Sequence, residues 1–148
     1  MEKKWYQADS SVMTGDVSVA EGVSIWHNAT LRADTAPIRI GRNSNVQDNV
    51  CIHAGDGYPV EIGENVSIGH GAILHGCTIA DNTIIGMGAI VLNGAHIGTD
   101  RRIVDISCRP ERTGTGTVRH YHGANESCRG RDRGLEAYPS NGMGAAVQ

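Results

Sequence analysis

From Met13 to Ile97 an aliphatic residue recurs every six positions, and three residues after nearly every one stands a glycine, asparagine or aspartate. The aliphatic series is Met13, Val19, Ile25, Leu31, Ile40, Val46, Ile52, Ile62, Ile68, Leu74, Ile79, Ile85, Val91 and Ile97. Its followers are Asp16, Gly22, Asn28, Asp34, Asn43, Asn49, Gly55, Asn65, Gly71, Asn82, Gly88, Gly94 and Asp100. Gly, Asn and Asp are the residues that tolerate positive φ, so each repeat predicts a short strand closed by a left-handed corner. Such a six-residue period predicts an all-β chain coiled into a parallel β-solenoid. The irregular follower is Cys77, where the next step shortens to five residues and Gly76 takes the corner.

Three repeats make one triangular turn of about 18 residues, and turns stack at about the 4.8 Å strand spacing. The first face is then revisited at Met13, Leu31, Ile52, Leu74 and Val91, provided the long steps from Leu31 to Ile40 and from Ile52 to Ile62 are repeats with insertions. Each insertion, residues 34–37 and 56–59, ends in proline, which cannot donate to a ladder, so both are expected to be loops at one corner of neighbouring turns.

The residue after each inward aliphatic points outward, and on the first face this column reads Thr14, Arg32, His53, His75, Leu92. Two histidines therefore stack on successive turns, close enough to bind one metal ion. On the third face the residues two beyond the aliphatic read His27, Asp48, His70, Met87. His70 lies near a different edge from His53 and His75, so it is poorly placed to close a site with them in its own chain, and a neighbouring subunit could supply it. Three neutral imidazoles with one position open suit Zn²⁺, with Fe²⁺ or Co²⁺ as alternatives; the competing reading is ordinary solvated turn histidines.

Composition narrows the class. The chain has 148 residues, a formal charge of −3 and no phenylalanine. It is expected to lack a nucleic-acid partner, and the absence of any stretch of about 20 apolar residues argues against a membrane span. Residues 1–5 offer no apolar signal core, and a cytoplasmic location is expected. Cys51, Cys77, Cys108 and Cys128 have no ribbon or redox spacing and read as ordinary thiols.

The segments Arg32 to Asp34, IGRNSNVQDNVCIH at 40–53, IGHGAILHGC at 68–77 and IGMGAIVL at 85–92 closely resemble the γ-class carbonic anhydrases and their short bacterial relatives. The resemblance covers about the first 100 residues. It implies a left-handed parallel β-helix, a handedness that the period alone does not give, and a homotrimer with metal sites at its interfaces. It further implies that His53 and His75 bind the metal with His70 of a neighbour, that Gln47 holds the metal-bound water, and that Arg32 and Asp48 form an ion pair across the interface. Asn45 and Asp34 match polar neighbours of that cluster. The implied reaction is hydration of CO₂ to bicarbonate, a carbonic anhydrase-like lyase activity. Thr35 stands where the well-known active members carry a glutamate, and the loop AGDGYPVE after His53 lacks their acidic insertion, so weak activity is expected.

The rhythm breaks after Asp100. Residues 1–100 hold 24 Ile, Leu or Val and residues 101–148 hold 6, while the net charge passes from −6 to +3. The expected organisation is a hexapeptide-repeat domain over 1–100 followed by an atypical Arg/Gly-rich tail over 101–148, divergent or frame-shifted and poorly ordered. Two further functions stay open. One is a hexapeptide-repeat acyltransferase or other enzyme acting on CoA thioesters; the other is a non-catalytic trimeric scaffold.

Overall fold

The computed structural model describes residues 4–103, 107–110 and 116–118. The described residues form strands and turns, without a helix, wound into a left-handed parallel β-helix. Its registers reproduce the three inward columns. Met13, Leu31, Ile52, Leu74 and Val91 stack on the first face. Val19, Ile40, Ile62, Ile79 and Ile97 stack on the second. Ile25, Val46, Ile68 and Ile85 stack on the third, where Ile103 adds another rung. From the second turn upward these side chains are essentially buried, with Val23, Ala29, Val66, Ala72 and Ala89 filling the corners beside them. At the base Trp5, Met13, Val17 and Val19 are half-buried against the core.

Corner chemistry follows the followers. Asn28, Asn43, Asn49, Asn65, Asn82 and Asp100 have φ between 56° and 60°, and Gly22, Gly71, Gly76, Gly88 and Gly94 are also positive. Asn43, Asn65 and Asn82 stack into an amide ladder, the side-chain N–H of Asn43 donating to Asn65 Oδ1 at 3.4 Å and that of Asn65 to Asn82 Oδ1 at 3.2 Å. Asp16, Asp34 and Gly55 are the exceptions, and all three fall at the corner between the first and second faces. There Val12–Val19 and Thr30–Ile40 run round the corner as single strands, with a register shift between Gly15 and Val17. Residues 34–37 are therefore not the expected loop. The extra residues are taken up as a bulge in a continuous strand, a place where Pro37 needs no ladder donor. Residues 56–59 do leave the ladder, in a turn closed by Tyr58 N–H on Gly55 O at 2.9 Å.

Arg39 on the second face reaches down to Asp16 with both guanidinium nitrogens, each at 2.9 Å from a carboxylate oxygen. This hydrogen bonding holds the Asp16 carboxyl below its ordinary value. A depressed folded-state pKa contributes stability that is present above about pH 3.8 and is lost as pH falls through the folded value. Thermal midpoints of an Asp16→Asn chain should therefore lie below those of the unaltered chain at about pH 6, and the gap should close as pH falls below 3.8. The exposed pair makes the gap small.

Past Ile103, Ser107–Pro110 pairs parallel to Ile90–Val91, and Gly116–Val118 returns antiparallel to it. The remainder of the expected tail, residues 104–106, 111–115 and 119–148, lies outside the described residues.

Candidate metal centre

The ladder that stacks Leu31, Ile52 and Leu74 inward places Arg32, His53 and His75 outward in one column. The imidazole rings of His53 and His75 meet edge to face with centroids 4.7 Å apart. His53 Nδ1 faces His75 Nε2 at 2.9 Å. Their outer nitrogens are also engaged: His53 Nε2 lies 2.9 Å from Asp34 Oδ1, and His75 Nδ1 contacts Asn93 Oδ1. Asp34 is further paired with Arg32. The hydrogen bond from His53, and after it that from Arg32, holds the Asp34 carboxyl below its ordinary value, so it is ionised at neutral pH.

The donor set has a chemical consequence. An ionised carboxylate and an amide carbonyl only accept, so His53 Nε2 and His75 Nδ1 carry the protons. The two remaining nitrogens meet across 2.9 Å, a contact that a proton on one of them or a divalent ion between them satisfies. Two nitrogens on one tetrahedral ion at about 2.0–2.1 Å would be about 3.3 Å apart, close to the spacing seen. These residues fit a divalent ion.

His70 stands elsewhere. Its corner stacks over Asp48 and His27, with Gly71 N–H donating to Asp48 O and Asn49 N–H to His27 O. His70 Nδ1 lies 2.9 Å from Asp48 Oδ2, which places the proton of that bond on Nδ1 and leaves Nε2 as the outer nitrogen of a half-exposed ring. Beside this corner, on the third face, Gln47 Nε2 donates to Asn45 Oδ1 at 3.2 Å and Asn45 Nδ2 to Ser67 Oγ at 2.8 Å. The sequence-derived residues thus fall into two clusters: Arg32, Asp34, His53 and His75 on the first face, and Asn45, Gln47, Asp48 and His70 at the corner of the third. Within one chain no three His, Cys, Asp or Glu side chains among the described residues converge into a metal-holding group. Within one chain, too, Arg32 pairs with Asp34 and Asp48 with His70.

Sequence reasoning passed over Asn93. It lies one rung above Gly76 at the same corner, diagonally over His75, and the outward column stopped short of it at Leu92. Thr35 Oγ donates to Ala54 O at 3.0 Å, so the hydroxyl in the place of a glutamate ties two turns together. Cys51 is exposed and Cys77 buried, and neither is in a disulfide.

No protein-family model matches the chain. Over 103 residues, 66% of this chain, it is 43% identical to gamma carbonic anhydrase 1, mitochondrial, of Arabidopsis thaliana. Over 84 residues, 57% of this chain, it is 50% identical to a probable carbonic anhydrase of Methanocaldococcus jannaschii. It spans 38% and 53% of the lengths of these two relatives. Among solved structures, a Bacillus cereus protein described as a putative acetyltransferase is 38% identical at a TM-score of 0.56, with 69% of this chain and 70% of that one covered. A hexapeptide transferase family protein of Anaplasma phagocytophilum is 30% identical at a TM-score of 0.56, with 73% and 69% covered. The repeat, the coil and these identities agree: the chain belongs to the hexapeptide-repeat β-helix family, within which it is similar to the γ-class carbonic anhydrases.

Proposed function

We propose that this chain is a carbonic anhydrase-like lyase of the cytoplasm, a homotrimer that hydrates CO₂ to bicarbonate at a Zn²⁺ centre shared between subunits. The observation that carries the reading is the pair of mutually facing nitrogens on His53 and His75, 2.9 Å apart with both outer nitrogens committed. His53 and His75 of one subunit and His70 of its neighbour would hold the ion. A divalent ion there would supply a Lewis acid that lowers the pKa of bound water toward about 7, so that it could serve as a nucleophile for CO₂.

The chain's own groups do the rest. Asp34 and Asp48 keep the outer protons on His53 and His70 and so hold each ring in its ligating orientation. Asn45 anchors the amide of Gln47 by its nitrogen, leaving the Gln47 carbonyl to accept a hydrogen bond from the attacking water. Arg32, beside Asp34 on the first face, would meet Asp48 of the neighbour. Thr35, bonded to Ala54, and the short turn after His53 replace the glutamate and the acidic insertion that the resemblance associates with proton export, so turnover should depend on buffer.

Stopped-flow CO₂ hydration by protein loaded anaerobically with Zn²⁺, Co²⁺ or Fe²⁺ tests this. A metal-dependent rate should appear, rising with imidazole buffer, and Gln47→Ala should retain the metal while lowering the rate roughly 10–100-fold. The descriptions of the solved relatives favour acyl transfer as a second reading. Metal-independent turnover of an acyl-CoA would select it over the lyase, and bound metal with neither activity would select the scaffold.

A further inference from the structure

We infer that Asn93 is a positioning residue of the metal centre, the group that holds His75 with Nε2 directed at the ion. This rests on the metal-centre reading proposed above. His75 Nδ1 contacts Asn93 Oδ1, and a carbonyl oxygen can only accept, so the proton is fixed on Nδ1 and the lone pair on Nε2. Nε2 is the nitrogen that faces His53.

The backbone is built to allow this contact. Gly94 N–H donates to Gly76 O at 2.8 Å, which ties the Asn93 corner to the turn directly after His75. Gly76 sits at φ 55°, and a Cβ there would lie 3.1 Å from Asn93 Oδ1 and 2.5 Å from Tyr58 Cβ. A side chain at 76 would push Asn93 away from the ring. Gly55 crowds the ring from the other side: a Cβ on it would stand 2.9 Å from His75 Cε1. Two glycines and one amide therefore define the plane of His75.

The three ligand histidines also differ in their partners. His53 and His70 each lean on a carboxylate, and His75 leans on a neutral amide. Carboxylate partners raise ligand basicity, so the amide limits the negative charge gathered around the ion. Asn93→Asp should keep His75 in place and strengthen metal binding, whereas Asn93→Ala should release the ring.

The test uses the full chain in its native assembly, with Zn²⁺ affinity measured by chelator competition and the His75 ring read by ¹H–¹⁵N spectroscopy on the Zn²⁺-loaded protein. Asn93→Ala should weaken Zn²⁺ binding about 10–100-fold and abolish the slowly exchanging Nδ1 proton of His75. The melting temperature of the metal-free chain should stay close to that of the unaltered one. Asn93→Asp should restore both the proton signal and the affinity, which a residue that only fills space would not do. The inference is overturned if Asn93→Ala binds Zn²⁺ as the unaltered chain does, or if Asn93→Asp behaves like Asn93→Ala. Failure of the unaltered chain to take up Zn²⁺ would instead overturn the metal-centre reading, and this inference with it.

Discussion

A His75→Ala chain should fold, assemble and bind no divalent ion. Among the described residues His75 supplies the nitrogen that faces His53 Nδ1, and its loss leaves a single first-face imidazole with Asp34 behind it. Losing a direct ligand must cost more than the roughly 10–100-fold that follows loss of an outer partner, so affinity should drop beyond that range. CO₂ hydration should vanish with the metal. The fold should survive, because His75 points outward and the column beneath it, Ile52 and Leu74, is untouched. Metal analysis by mass spectrometry beside circular dichroism separates the two effects: a stoichiometry near that of the unaltered chain would place the ion elsewhere.

One residue earlier, truncation should have the opposite signature. Leu74 is 1% exposed and lies between Ile52 and Val91 in the first-face column. Leu74→Ala should cost about 2–5 kcal/mol by denaturant unfolding, the range for emptying a buried leucine site. The upper part of that range is expected. The walls are hydrogen-bonded rungs that cannot sink inward without breaking the ladders to the turns above and below. Because each turn is stabilised mainly by its neighbours, the loss should spread to the rungs on both sides. A cost under about 1 kcal/mol would mean that the interior relaxes around the hole.

Much of this was legible in the chain because each repeat is a local unit. An inward aliphatic and a corner residue determine a rung without reference to distant sequence, and Asn43, Asn65 and Asn82 take the expected positive φ. The corner between the first and second faces was less legible. Asp16, Asp34 and Gly55 follow the six-residue spacing but are not left-handed, because a bulged strand or a longer turn carries the chain round instead. Pro37 misled for a related reason, since proline fits a bulge as well as a loop. At the site, the stacking of His53 on His75 follows from register alone. The engagement of their outer nitrogens does not, because it depends on rotamers and on a diagonal contact from Asn93 that no column displays. Ile103 escaped notice at the boundary, six residues beyond Ile97 yet just past the break in composition.

The central claim is that two half-sites on different subunits make one metal centre, and mixing complementary chains tests it most directly. His53→Ala spoils the first-face half and keeps His70; His70→Ala does the reverse. Neither chain alone should hold metal tightly. In trimers formed from an equal mixture, about a quarter of the interfaces should join an intact first face to an intact His70 corner, since chains enter a cyclic trimer at random. Bound Zn²⁺ at about a quarter of an ion per subunit, with a matching return of CO₂ hydration, is the predicted result. Full metal binding by the His70→Ala chain alone, or none in the mixed trimers, would contradict it.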